Sequence, residues 1–95
     1  MNPRQTTKMA GTSSNDICTR LLEFILLSFP IARTKKIGDA DPLFTLGVLD
    51  SMGILEVLMF VQSEFGVTVD TADLVLENFG SVQAMAKYVA ARLAV

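Results

Sequence analysis

Residues 50–66 read DSMGILEVLMFVQSEFG, and this stretch predicts the central helix of the fold. Asp50 has the character of an N-cap, because a short acidic side chain can accept hydrogen bonds from the first free N–H groups of a helix. Every residue that follows is compatible with a helix until Gly66, a residue suited to helix ends. We therefore predict that helix two of the fold spans residues 51–65.

Two apolar stripes run along this helix, at the three- and four-residue spacing that places side chains on one face. The first can face the core and consists of Ile54, Leu58, Val61 and Phe65, with Val57 beside it. The second is offset from it and consists of Met52, Leu55 and Met59. A helix that is apolar on two faces is either wholly buried or keeps one face for another molecule.

Further helices are predicted on both sides. Asn15 or Asp16 can cap a first helix that ends at Pro30, with the apolar positions Ile17, Leu21, Phe24 and Ile25. Thr71 can start a brief helical turn through Val75. Ser81 can cap a last helix whose inner side carries Val82, Met85, Ala86, Val89 and Leu93.

The remaining segments predict loops. Residues 31–49 have no sustained periodicity and predict a long ordered loop, anchored by Leu43, Phe44, Leu46 and Leu49. Residues 67–69 alternate too briefly for a sheet. Residues 1–14 have the composition of a flexible leader, and 15–95 form the domain. We predict an all-α fold, a small antiparallel four-helix bundle of three longer helices and one short one.

Composition excludes most chemistry. The chain has no His and one Cys, so it supplies no zinc site of the usual ligand types and no imidazole base for a nucleophilic serine. We therefore expect no metal site and no self-contained hydrolase chemistry. No signal peptide and no apolar run of membrane-spanning length is present, so we expect a soluble, cytoplasmic protein.

The charges are unevenly distributed, although the net charge is only -2. All eight bases lie outside residues 37–86, whereas eight of the ten acids lie inside: Asp39, Asp41, Asp50, Glu56, Glu64, Asp70, Asp73 and Glu77. Such a block repels nucleic acid, so a basic protein partner is the better inference, with an ordinary solvated surface as the alternative.

Asp50-Ser51 is the candidate site that remains. Ser51 falls in the first turn of the predicted helix, where N–H groups lack partners and the helix dipole favours a phosphate. Gly53, a poor helix former, leaves space for another molecule to approach the hydroxyl. The alternative is that Asp50 or Ser51 is simply an N-cap.

These residues carry a family resemblance. The segment L46-G-V-L-D-S-M-G53, preceded by D41-P-L-F44 and followed by F65-G-V-T-V69 and S81-V82, resembles the phosphopantetheine attachment region of acyl carrier proteins and their peptidyl and D-alanyl relatives. The similarity covers about residues 16–93. It implies a four-helix fold and a covalent 4'-phosphopantetheine arm on Ser51, received from coenzyme A, with an acyl or aminoacyl group as thioester on its thiol.

The resemblance also implies partners. A phosphopantetheinyl transferase would supply the base and metal that the chain lacks, and Asp50 would face it. Enzymes that load, extend or accept the cargo would contact Met52, Gly53, Leu55, Glu56 and Met59. The carrier itself would not be an enzyme. We also expect a monomer. Core packing is the alternative role for the two methionines and Leu55.

The subclass and a second class of function stay open. The DSMG motif looks closest to D-alanyl carriers and to free-standing carriers of specialised pathways, such as polyketide or nonribosomal peptide synthesis, and less like the acid-rich carriers of fatty acid synthesis. The alternative function is a non-catalytic helical interaction module that binds a basic partner helix through Met52, Leu55 and Met59.

Overall fold

The computed structural model describes residues 14–93, which form a bundle of helices. In chain order these are α1 (Ser14–Ser28), α2 (Pro30–Thr34), α3 (Gly53–Phe65), a 3-10 turn (Thr71–Asp73), α4 (Leu76–Phe79) and α5 (Val82–Leu93). No strand occurs between residues 14 and 93. The predicted all-α class and its three long helices are confirmed, and so is the turn at Thr71. The short helices α2 and α4 were not predicted.

The first helix begins slightly earlier than expected. Of the leader predicted for residues 1–14, the structure describes only Ser14, which is the first residue of α1. Asn15 and Asp16 therefore lie within the helix and not at its cap. Ile17, Leu21 and Ile25 are fully buried, as their spacing predicts, while Phe24 is half-buried.

Proline ends α1 and starts α2. Pro30 lies two positions after Ser28, the last residue of α1, and is the first residue of the short helix. Because proline lacks an N–H and has a fixed φ, it suits the first helical position as well as the end of a preceding helix. The Arg33 guanidinium donates hydrogen bonds to the carbonyl groups of Leu26 and Leu27, which closes the end of α1.

The loop between α2 and α3 is anchored as predicted. Leu43 and Leu49 are buried in the core, and Phe44 and Leu46 are half-buried against it. Two backbone hydrogen bonds also join the loop to the start of α5: Leu43 N to Gly80 O and Gln83 N to Asp39 O, both 2.8 Å. The loop therefore has a fixed position although it contains no periodic structure.

Two predictions about the core were only partly correct. In α3 the buried residues are Gly53, Val57 and Val61, whereas the predicted Ile54, Leu58 and Phe65 pack against the core but are only partly buried. The buried face is thus turned by about one position around the helix, because it is centred on an i, i+4, i+8 row that begins at a glycine. In α5 Val82, Met85, Ala86 and Val89 are buried as predicted, but Leu93 is 40% exposed.

Helices α1 and α3 run antiparallel. Two contacts join them, Arg20 with Glu64 and Phe24 with Phe60, and Phe29, just after α1, lies beside Gly53. The residue number rises along one helix as it falls along the other, which is the antiparallel arrangement the bundle prediction requires. The rings of Phe24 and Phe60 are stacked, with centroids 4.2 Å apart. The start of α3 is therefore held against the end of α1.

Candidate functional site

The Asp50 side chain caps α3. Its Oδ1 atom accepts hydrogen bonds from Met52 N at 3.1 Å and from Gly53 N at 2.7 Å. The helix itself begins at Gly53, two residues later than predicted, and Ser51 and Met52 form a turn before it. Met52, and not Asp50, is the residue directly before the helix, but the Asp50 carboxylate accepts from the first N–H groups as expected and spans the turn that contains Ser51.

The first N–H groups of α3 have partners within the protein. Besides the two bonds to the Asp50 carboxylate, Ile54 N donates to Asp50 O at 3.0 Å and Leu55 N donates to Met52 O at 3.1 Å. The expectation that free N–H groups would attract a phosphate at this helix start was wrong, because the aspartate already accepts from them. A phosphate on Ser51 would be held by its covalent bond.

Ser51 is exposed on the turn. Its neighbours on both sides, Asp50 and Met52, are exposed as well, so a transferring enzyme can reach the hydroxyl without displacing the core. A phosphodiester at an exposed hydroxyl needs access and not a preformed cavity. The residues present at this turn therefore fit a covalently attached phosphopantetheine.

Gly53 lies inside the protein. A Cβ atom on this residue would lie 3.1 Å from Cε1 of Phe29, 3.3 Å from Oδ1 of Asp50 and 3.3 Å from Cδ2 of Leu49. The room left by the missing side chain is thus filled from within. This corrects the expectation that Gly53 leaves space for another molecule to approach the serine.

The second apolar stripe of α3 faces outward. Met52 is 71% exposed, Leu55 48% and Met59 70%, and Glu56 beside them is also exposed. Of the two alternatives, complete burial or a face kept free, the structure shows the free face. The core is packed without these three side chains, so their role is not internal packing.

Two further exposed apolar side chains were not predicted from the sequence. Val75 is 43% and Leu76 68% exposed, where the chain enters α4. The four-residue α4 is too short for a helical period, so its exposed and buried positions give no signal in the sequence. Its buried Phe79 is the residue that holds it in the bundle.

Two other kinds of site, a metal centre and a membrane-spanning helix, are not seen in the described residues. Residues 14–93 contain no group of three or more His, Cys, Asp or Glu placed to hold a metal ion, and no helix there is long and apolar enough to cross a membrane. A cavity of about 440 Å³ lies against α4 and α5, and its lining includes Glu77, Lys87 and Tyr88. It is not lined by residues of α3.

Comparison with known families identifies the class. Residues 29–89 match the family model for the phosphopantetheine attachment site, and this region is more than half of the chain. It extends from Phe29 beside the α3 start to Val89 in α5, so it includes the Asp50–Ser51 turn. No curated protein was found to match the chain. The chain belongs to the phosphopantetheine attachment site family and is a carrier protein for the covalent 4'-phosphopantetheine group. Carriers of this family work with partner enzymes.

Proposed function

We propose that Ser51 is the residue that receives the phosphopantetheine arm. The observation that carries this proposal is the position of an exposed serine on the Asp50-capped turn before α3, within the region that matches the family. Asp50 supports it by fixing the backbone on both sides of the serine. The chain's lack of His agrees with a substrate hydroxyl that is activated by another protein.

The attachment chemistry assigns Ser51 one role. Its Oγ attacks the phosphorus nearer to the pantetheine of coenzyme A, the new O–P bond forms, and the bond to the adenosine 3',5'-bisphosphate leaving group breaks. The hydroxyl proton goes to a base of the transferase, which also supplies the metal. Once attached, the arm provides a terminal thiol that holds an acyl or aminoacyl group as a thioester. The carrier itself has no catalytic residue in this proposal.

We infer that Met52, Leu55, Glu56 and Met59 form the partner surface. Three of these four side chains are large, apolar and exposed beside the proposed attachment site. Unbranched, polarizable methionine side chains can repack against several partners, which a carrier that meets a transferase, a loading enzyme and an acceptor enzyme requires. Gly53 belongs to the internal packing of the site and makes no partner contact in this proposal.

The charge on this surface points to a specialised carrier. Glu64 is paired with Arg20 of α1, so Glu56 is the acid of α3 that remains on the outer face. Recognition would therefore depend more on apolar packing than on a row of acids. This agrees with a carrier for a D-alanyl or specialised acyl pathway and less with one for fatty acid synthesis.

Intact mass spectrometry tests the attachment site. The protein is incubated with coenzyme A and a broad-range phosphopantetheinyl transferase, and we expect a gain of one phosphopantetheine. Ser51→Ala should abolish the gain. Ser63→Ala, which removes an exposed serine within α3, should leave it unchanged. An unmodified wild type, or a modified Ser51→Ala variant, would overturn the proposal.

A second function is favoured by the same exposed face. A helical interaction module would bind a partner through Met52, Leu55 and Met59 without any arm. The two functions differ in their dependence on the serine. If Ser51→Ala keeps the biological function while Met59→Glu abolishes it, the interaction module is correct and the carrier function is not.

A further inference from the structure

The glycine at the start of α3 is not explained by its backbone. Gly53 occupies a helical position, whereas Gly47 and Gly66 have φ of 78° and 72° in the left-handed region. Glycine within a helix costs about 1 kcal/mol relative to alanine. The space around the residue, and not its conformation, is therefore the reason to place a glycine there.

Three neighbours close that space. A Cβ atom would lie 3.1–3.3 Å from the Phe29 ring, the Asp50 carboxylate and the Leu49 side chain, which is closer than the 3.4–4 Å of ordinary contact. Gly38 offers the opposite case, because a Cβ there would meet only Asp41 Oδ2 at 3.9 Å.

Phe29 is itself held in place. Its ring makes an edge contact with Phe24, with centroids 6.3 Å apart, and Phe24 in turn stacks on Phe60 of α3. Its backbone N donates to Ile25 O at 2.9 Å, and its carbonyl accepts from Ala32 N at 2.8 Å. These contacts therefore limit the movement of the Phe29 ring away from Gly53.

A second neighbour of Gly53, the Asp50 carboxylate, is the group that fixes the serine turn. Asp50 Oδ1 accepts both capping hydrogen bonds, and Ser51 lies between the residues they connect. A side chain at position 53 would push this oxygen away from the N–H groups. We propose that Phe29 and Gly53 are positioning residues for phosphopantetheine transfer, because their contact holds the Asp50 cap and so the Ser51 hydroxyl in reactive geometry.

This proposal rests on the proposed function and deepens it. Misplacement of a reacting group by a few tenths of an ångström lowers the rate constant without altering the surface that a partner binds, so we expect Gly53→Ala to lower kcat of the transferase about tenfold with KM nearly unchanged. Gly38→Ala is the matched control and should react like the wild type. The double variant Gly53→Ala/Phe29→Leu gives the added methyl group room and should recover most of the lost kcat.

Two further measurements keep the test decisive. The amide ¹H chemical shift of Met52 reports its hydrogen bond to Asp50, and we expect it to move in Gly53→Ala and to return in the double variant. Should Gly53→Ala fail to fold, Phe29→Leu is compared with Phe65→Leu. These two residues are the ends of one row of contacting rings: Phe29, Phe24, Phe60 and Phe65. Phe29→Leu should lower kcat, and Phe65→Leu should not.

The outcomes separate this proposal from the proposed function. A wild type that gains no phosphopantetheine, or a Ser51→Ala variant that does, contradicts the attachment site itself. A wild type modified normally, with a folded Gly53→Ala variant that reacts at the same kcat and keeps the Met52 amide shift, contradicts only the positioning role. An equal kcat for Phe29→Leu and Phe65→Leu contradicts it as well.

Discussion

The hydroxyl of Tyr88 in α5 donates a 2.6 Å hydrogen bond to Oδ2 of Asp73 in the 3-10 turn. The carbonyl of the same aspartate accepts a hydrogen bond from Asn78 Nδ2 at 2.9 Å, and the Tyr88 ring packs against Phe79, with centroids 5.3 Å apart. One aspartate therefore joins the turn, α4 and α5. This cluster fixes the segment that carries the exposed Leu76.

The Tyr88 hydroxyl should lose its proton at a higher pH than an ordinary tyrosine. Burial raises the pKa of Tyr88 above its ordinary value of 10.0, and the hydrogen bond to Asp73 raises it further, while Arg92 opposes the shift. Tyr88 is the only tyrosine and the chain has no tryptophan, so the near-ultraviolet absorbance of tyrosinate reports this one group. We expect a titration midpoint above 10.0 in the native protein. Asp73→Asn should lower it, and an equal midpoint would contradict the role of the aspartate.

The raised pKa of Tyr88 should also affect the free energy of unfolding at alkaline pH. Because the native pKa exceeds the unfolded one, the native state holds the Tyr88 proton over a pH range in which the unfolded state has lost it. This contribution to stability is complete below the unfolded pKa and is lost as the pH rises through the native pKa. Urea unfolding at several alkaline pH values should show a smaller decline for Tyr88→Phe than for the wild type.

Removal of the Asp50 cap should destabilise the fold. Asp50→Ala loses both hydrogen bonds to the start of α3, and we expect a loss of about 1 kcal/mol in the free energy of unfolding. Asp50→Asn keeps an oxygen acceptor and should lose much less. Urea unfolding followed by circular dichroism measures both values. Equal stability of the alanine variant and the wild type would mean that the observed bonds contribute nothing.

The fold could be predicted from the sequence wherever the apolar spacing of a helix continues over several turns. The apolar spacing in α1 and α5 and the caps at Asp50 and Ser81 gave the three long helices. The short helices α2 and α4 have too few residues for a period, and their formation depends on tertiary packing of Ala32 and Phe79. Residue type alone could not place the buried face of α3, because the two apolar stripes and Val57 together surround most of the helix.

A matched pair of methionines tests which face of α3 is free. Met85 in α5 is fully buried and Met59 is 70% exposed. Met85→Ala should lower the free energy of unfolding by about 2–5 kcal/mol, because it leaves a cavity in the core. Met59→Ala should change it by less than about 0.5 kcal/mol. A large loss for Met59→Ala would show that its side chain packs internally and would contradict the partner surface.

The Cys18 thiol should react slowly with disulfide reagents. Burial raises the pKa of Cys18, and the Asp39 carboxylate, whose Oδ2 lies 3.5 Å from Sγ, raises it further. Since the thiolate is the reactive form, a disulfide reagent should modify native Cys18 more slowly at neutral pH than the urea-unfolded chain. Asp39→Asn should accelerate the native reaction. Equal rates for both native proteins would rule out an effect of the aspartate.

The site was only partly accessible to sequence reasoning. Asp50, Ser51 and the exposed Met52 stripe could be selected from residue type and spacing. The proposed role of Gly53 could not, because it depends on a ring from Phe29, which lies 24 positions earlier in the chain and reaches the helix only in the folded bundle. Whether the first N–H groups of α3 have hydrogen-bond partners likewise depends on the orientation of the Asp50 carboxylate.

The hydrogen bonds from Leu43 N to Gly80 O and from Gln83 N to Asp39 O have a consequence for biosynthesis. They tie the loop that leads into the Asp50 turn to the beginning of α5, and a chain grows from its N-terminus. A nascent chain that has not yet reached residue 83 contains the serine but lacks the groups that hold its loop. In the proposed function, a phosphopantetheinyl transferase would therefore meet this ordered loop only after the last helix has left the ribosome and folded.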